Sequence, residues 1–277
     1  MKKLILSLVV LMSLTITNCS KSEENATNPK EENPSNPQNP QAPQQPPTPP
    51  QPQAPRQTQE PPISSADFTL SPDGKTLVRW DNTTRTTLDM KSHPLLSQVT
   101  TIGFQAFKDR NSLKTIIFPE TLTTIKGYAF SGSGLESITI PETISYIGDY
   151  AFSNCNRLVS ASIPKSANSL GIFIFENSTN LKEVTYGPTI AKNLFSGCTN
   201  LEKVTLLEGI NTIDFQAFNN LTNLTTLILK TTTPPFLGYN ALNNTGLTHI
   251  YVPAASVDTY KNDRKWRVFA DKIQAIP

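Results

Sequence analysis

The stretch "TTIGFQAFKDRNSLKTIIFPETL", residues 100–122, returns in altered form as "SYIGDYAFSNCNRLVSASIP", residues 145–164, and the pair sets a frame for most of the chain. Leucines that open the pattern L-x-x-[apolar]-x-[apolar] stand at Leu113, Leu135, Leu158, Leu181, Leu201, Leu224 and Leu247. Their spacings are 22, 23, 23, 20, 23 and 23 residues. Six residues ahead of most of them sits a phenylalanine (Phe107, Phe152, Phe175, Phe195 and Phe218), with Phe130 five ahead and Leu242 standing in at the last copy. Five residues before each phenylalanine comes Ile102, Ile125, Ile147, Leu170, Ile190 or Ile213. Self-similarity at this period marks a repeat architecture of about seven copies.

Within a copy, the apolar residues alternate, so Ile116/Phe118, Ile138/Ile140, Ala161/Ile163, Val184/Tyr186, Val204/Leu206, Leu227/Leu229 and Ile250/Val252 face one way from a short strand. Pro119, Pro141, Pro164 and Pro253 end strands where a missing donor costs little. A unit this small cannot close a core alone, so neighbours must stack, and stacked strands form a parallel ladder about 4.8 Å per rung.

The two quoted stretches resemble the leucine-rich repeats of BspA-type bacterial surface antigens, whose pattern I-G-x-x-A-F-x-x-C-x-x-L-x-x-I-x-I-P they match nearly position by position. The likeness runs over about residues 98–253 and is best in the copies ending at Leu113, Leu135, Leu158 and Leu224. The copy between Phe175 and Phe195 is three residues short, and "KSANSLGIFIF" (165–175) before it lacks the I-G start, which suggests a local kink or an altered convex loop. The resemblance implies a curved solenoid on a cell-surface lipoprotein, with a parallel β ladder, a short helical or irregular convex side, adhesion as the known role of some members, and no catalytic residue.

The ends are expected to act as caps. "DFTLSPDGKTLVRW" (67–80) carries the turn signal "SPDG" between two β-prone runs and reads as a hairpin. At the other end, residues 254–277 place Val257 and Tyr260 on a short helix, followed by Trp266, Phe269 and Ile273 to cover the last rung. These aromatics are expected to be packing residues.

Ahead of the repeats, "MKK", the apolar run 4–16 and "TNCS" read as an export signal covering residues 1–18. A cysteine just after such a run resembles the bacterial lipobox, which makes Cys19 the expected lipid attachment site, although Asn18 stands where Gly, Ala or Ser is usual. "SKSEEN" (20–25) resembles the surface-export signal of such lipoproteins, and can also be a solvated start. Residues 25–62 hold thirteen of the 23 prolines. That stretch, within a region 19–65, cannot bury a core and reads as a polyproline-rich spacer with a reach of up to roughly 100 Å. The expected layout is therefore signal 1–18, anchor and spacer 19–65, cap 66–98, repeats 99–253 and cap 254–277, on an outer-membrane lipoprotein at the surface of a Gram-negative bacterium.

Composition narrows the function. A net charge of +2 gives no pull toward nucleic acid, and 37% hydrophobic against 17% charged residues suits one good-sized domain with appendages. Two histidines, His93 and His249, leave little for acid–base or metal chemistry, and no protease, nucleotide-binding or CxxC motif occurs. No catalytic residue, metal site or cofactor is expected.

The expected binding surface is the strand face. Its outward positions are Thr115, Ser137, Ser160, Glu183, Lys203, Thr226 and His249 in one row, and Ile117, Thr139, Ser162, Thr185, Thr205, Ile228 and Tyr251 in the next. Hydroxyls dominate, which suits hydrogen bonding to a host or bacterial surface protein, or to a glycan; small and β-branched residues also suit a ladder for its own sake. The anchor and spacer favour an adhesin that binds proteins, with a glycan-binding lipoprotein of a polysaccharide-capture system as the alternative. Cys155 and Cys198, each three residues before a leucine, fall in one inward column two rungs apart, about 9 to 10 Å, too far for a disulfide. Both are expected to be buried free thiols that pack as small hydrophobes.

Overall fold

In a computed structural model, residues 60–187 and 193–277 are described. The expected signal peptide, Cys19 and the proline-rich stretch lie outside the described residues, as does Ile190. Residues from Gln57 onward form one compact unit that carries the whole of the described core.

The unit is a parallel β-solenoid. Strands Ser137–Thr139, Ser160–Ile163, Glu183–Tyr186, Lys203–Leu206, Thr226–Leu229, His249–Val252 and Ile273–Ala275 pair in chain order as a seven-stranded parallel sheet. Thr87–Asp89 and Thr115–Ile117 pair ahead of it as a separate two-stranded sheet, linked by Glu136 N–H donating to the Lys114 carbonyl at 3.0 Å. Alternation decides what each strand buries: Val204 and Leu206 are sealed in, and Lys203 and Thr205 look out. The side opposite the strands is built from turns and a second, two-residue ladder. It runs Thr101–Ile102, Thr124–Ile125, Tyr146–Ile147, Ser169–Leu170, and resumes as Thr212–Ile213 with Phe236–Leu237. All helical segments among the described residues lie in the two caps.

Between the two ladders the chain turns through a segment in which residues on either side of each core phenylalanine adopt left-handed backbone. Examples are Gln105 and Asp109 around Phe107, and Tyr150 and Asn154 around Phe152. Through most of the turns this geometry pairs backbone donors in two ways. N–H groups of one set close i−3 turns, as Ala106 does to Gly103 at 3.2 Å, and those of the other set reach the next rung, as Phe107 does to Ala129 at 2.7 Å. The glycine of the I-G pair is needed because the rungs touch there: a Cβ on Gly148 would sit 2.5 Å from the backbone nitrogen of Gly127.

Inside, the phenylalanines form one continuous stack. Ring centroids from Phe107 through Phe130, Phe152, Phe175, Phe195 to Phe218 are separated by 4.8, 5.2, 5.8, 5.9 and 5.7 Å, all near parallel. The short copy between Phe175 and Phe195 therefore does not interrupt the core. Leu170–Gly171 takes the I-G place in the stretch that lacked it, with Gly171 N–H donating to Ile147 at 2.7 Å.

The caps go further than the sequence suggested. The hairpin Phe68–Leu70/Thr76–Trp80 forms as expected, but its second strand also joins the second ladder through Thr76 and Leu77. Trp80 stacks on Phe107 at 5.9 Å, and Leu88 pairs with Ile116. The stretch 76–90 is thus a degenerate extra rung. Packing also begins before residue 66, because the Glu60 carboxylate accepts from Thr86 N–H at 2.7 Å and from Arg85 at 3.0 Å. Burial pushes that carboxyl up, and the Thr86 bonds with the Arg85 charge outweigh it, leaving its pKa lowered. At the C-terminal end the helix Val257–Asn262 carries Tyr260 inward, Trp266 Nε1 donates to Pro235 at 2.8 Å, and Ile273 adds a final strand.

The cysteine column is buried and free, as expected, but its chemistry differs from plain packing. Cys155 Sγ and Cys198 Sγ each donate to the carbonyl of the preceding rung's phenylalanine, Phe130 and Phe175, at 3.1 Å. Ser178 Oγ does the same to Phe152 at 2.8 Å, and Arg110 Nε to Trp80 at 2.7 Å. In these four rungs the position supplies a donor to the carbonyl behind it, and burial raises the two thiols to about 11 and about 12.

Candidate binding face

The strands bring both expected outward rows together in register. Ser137, Ser160, Glu183, Lys203, Thr226 and His249 stand side by side, and Thr139, Ser162, Thr185, Thr205, Ile228 and Tyr251 form the neighbouring row. Thr115 and Ile117 continue the rows on the two-stranded sheet, with Ile117 exposed at 43%. Apart from Glu183, Lys203, His249 and Tyr251 the side chains are small or β-branched, a type that tolerates equivalents about 4.8 Å away on neighbouring rungs.

Charge is sparse on this face. Lys203 Nζ lies 3.5 Å from Glu183, and beside the rows Lys114 pairs with Glu136 at 3.2 Å and Lys182 with Glu202 at 3.0 Å. Exposed pairs of this kind are worth about 0–1 kcal/mol each, and they neutralise the face more than they stabilise it. Where the two-stranded sheet meets the seven-stranded one, a hollow of about 490 Å³ opens among Thr115, Ile117, Phe118, Ser137 and Thr139. A smaller one of about 180 Å³ lies over Ser160, Ser162, Glu183, Thr185, Lys203 and Thr205. At the far end His249 and Tyr251 stack at 5.6 Å with 12° between their planes, and the Thr248 hydroxyl is 2.9 Å from His249 Nδ1.

His93 lies apart from this face. It packs edge-on to Phe68 at 5.2 Å, and its Nδ1 accepts from Leu95 and Leu96 at 3.3 and 3.4 Å, which makes it a local capping residue. Among the described residues no group of three His, Cys, Asp or Glu side chains could hold a metal ion.

One surface feature escaped the sequence reading. On the turn side, Tyr128 stacks on Tyr150 at 4.8 Å and Tyr150 on Phe173 at 5.2 Å, with Phe104 edge-on to Tyr128 at 5.8 Å. Phe215 and Tyr239 stack likewise at 6.2 Å. The signal was present at the period of the core phenylalanines, one position before the A-F or I-F pair at Tyr128, Tyr150 and Phe173 and two positions before the corresponding pair at Phe104, Phe215 and Tyr239. Phe104 and Tyr239, at the ends of these two groups, stand 59% and 73% exposed. Burial and the Glu176 carboxylate hold the Tyr150 hydroxyl above its usual pKa.

Comparison with known proteins agrees with this architecture. The family model for the BspA type leucine rich repeat region matches six copies over residues 82–192 and 188–264. No curated protein matches the sequence. Among solved structures, a leucine rich repeat protein of T. pallidum is 22% identical over 64% of this chain and 85% of its own, with a TM-score of 0.50, and shows the same fold. A leucine-rich repeat protein from Eubacterium ventriosum is 21% identical over 67% of this chain and 52% of its own, with a TM-score of 0.44. A leucine rich cell surface protein from Faecalibacterium prausnitzii is 15% identical over 78% of this chain and 100% of its own, with a TM-score of 0.36. With two thirds of its length under the repeat model and its rungs stacked as a parallel solenoid, the chain belongs to the BspA type leucine rich repeat family.

Proposed function

We propose that the chain is a bacterial surface module that binds a partner protein through its strand face, without catalysis, held by a lipid on Cys19 and set off from the membrane by the proline-rich stretch. The observation that carries the reading is the pair of outward rows, in register from Ser137 to His249 and from Thr139 to Tyr251, with the hollow at Thr115–Thr139 beside them. Such a face offers hydroxyls and a few exposed aliphatics over a rigid sheet, a composition suited to a protein surface. A sugar platform uses open ring faces; here His249 and Tyr251 cover each other, which favours protein over glycan.

The test is a binding screen of the chain against host matrix proteins and a glycan array, repeated with a Thr185→Arg/Thr205→Arg variant. Protein partners that lose binding in the variant support the reading. Glycan hits with silence on proteins, or protein binding untouched by the variant, would refute it. The anchor is tested separately by labelling cells with a palmitate analogue: Cys19→Ala should lose the label, and equal labelling of both chains counts against a lipid at that site.

A further inference from the structure

Where the turn segments are hydrogen-bonded to one another, the N–H groups of one donate to the next and not the reverse. Gln105, Phe107 and Asp109 N–H groups donate forward to Gly127, Ala129 and Ser131 at 3.3, 2.7 and 2.9 Å. Gln216, Phe218 and Asn220 do so to Tyr239, Ala241 and Asn243 at 3.1, 2.9 and 3.1 Å. The last turn, around Leu242, has no rung beyond it. Its carbonyls at Gly238, Tyr239, Asn240, Ala241 and Asn243 already accept bonds, whereas the N–H groups of Asn240, Leu242 and Asn244 have no acceptor among the described residues.

The C-terminal segment covers the strand side of this end and leaves a cleft of about 370 Å³ over the turn. Lys265 and Lys272 line the cleft together with Asn240, Leu242 and Asn244, and no carboxylate does. Neither lysine joins an ion pair among the described residues, and Lys265 Nζ lies 5.9 Å over the Phe236 ring.

The edge of an ordinary β-sheet alternates N–H and C=O, which is why it takes up another strand. This edge presents donors alone, at every second residue, beside two cations. A peptide strand would set its own N–H groups against those donors. Anionic oxygens satisfy them, as they do at other concave arrays of backbone N–H groups.

We propose that this cleft binds an oxyanion carried on a polyanionic ligand, its oxygens accepting from Asn240, Leu242 and Asn244 N–H, with Lys265 and Lys272 neutralising the charge. The site lies at the end of the solenoid and does not depend on the strand face. The experiment titrates the full chain with dextran sulfate at fixed ionic strength. Neutral dextran is the control, inorganic sulfate the competitor, and hydrogen exchange is read peptide by peptide. The expected result is slowed exchange over residues 238–246, reproduced by inorganic sulfate at higher concentration. A Lys265→Gln/Lys272→Gln variant should bind about tenfold more weakly, as expected for losing two charge-assisted contacts. Lys108→Gln/Lys126→Gln, on interior turns and outside any ion pair among the described residues, should bind like the parent. Equal affinity in the two double variants, or binding that leaves exchange at 238–246 unchanged, would overturn the site.

Discussion

Truncating one ring in the middle of the core stack probes how the solenoid is held together. Phe152 is fully buried, with the rings of Phe130 and Phe175 at 5.2 and 5.8 Å on its two faces. Removing a buried phenylalanine ordinarily costs about 3–5 kcal/mol, through lost transfer and the cavity left behind. Stacked pairs contribute roughly 0.5–1.5 kcal/mol beyond area, and Phe152→Ala breaks two, so the cost should lie near the top of the range, about 5 kcal/mol. The matched control is Tyr150→Ala. Its ring also stacks on two neighbours, at 4.8 and 5.2 Å, but stands half-buried on the surface. Both the tyrosine and its replacement hold the same left-handed backbone (φ 56), so strain cancels, and the two stacked pairs set the cost at about 1–3 kcal/mol. Urea unfolding followed by tryptophan fluorescence suits the question, because Trp80 and Trp266 are buried at opposite ends of the array. In a chain where each rung touches only its neighbours, a weak central rung uncouples the halves. Read in Trp80→Phe and Trp266→Phe backgrounds, the two ends should therefore unfold together in the parent and apart in Phe152→Ala. A Phe152→Ala cost equal to that of Tyr150→Ala would refute the role given to the stack.

Three further outcomes follow from buried polar groups. Cys155 and Cys198 should not react with a thiol reagent in the folded chain and should both react once it is unfolded, since burial holds them at about 11 and about 12. Raised pKa values mean that their stability contribution is complete below the ordinary thiol pKa and declines as pH rises above it. Above about pH 9 the parent should lose about 1.4 kcal/mol per pH unit per thiol relative to Cys155→Ser/Cys198→Ser, and parallel curves in urea melts would contradict this. The Tyr186 hydroxyl is fully buried with no partner among the described residues, so Tyr186→Phe should leave the midpoint unchanged or raise stability by about 1–3 kcal/mol, and a clear loss would show that the hydroxyl has a role.

The repeats were legible because the same few residue types recur every 20 to 23 positions, and both strand rows came out in the expected register. The first rung was not, since Leu77 and Trp80 are three apart where the other copies keep five, and a hairpin occupies the place of a turn. Its trace was "TLDM" (87–90), which sits against "TIIF" (115–118) strand to strand. The donor column hid for a different reason. Arg110, Cys155, Ser178 and Cys198 look unrelated until the carbonyl of the preceding rung's stacked aromatic, Trp80 for Arg110 and a phenylalanine for the others, is placed beside each of them. The three waiting donors at Asn240, Leu242 and Asn244 are a property of where the array stops, which no side chain announces.

The one-way bonding of the turns also bears on how such an array changes over generations. The turns of Phe130 and Phe152 each hand three hydrogen bonds forward and receive three from behind, so a duplicated or deleted copy of about 23 residues there meets the same partners at its new position. Unequal recombination between stretches as alike as "FSNCNRL" and "FSGCTNL", which lie two rungs apart, would then lengthen or shorten the strand face by about 9 to 10 Å per event without a new fold having to be found. Only the ends, with Trp80 at one and Tyr260 and Trp266 at the other, are unique solutions, and selection on length can act on everything between them.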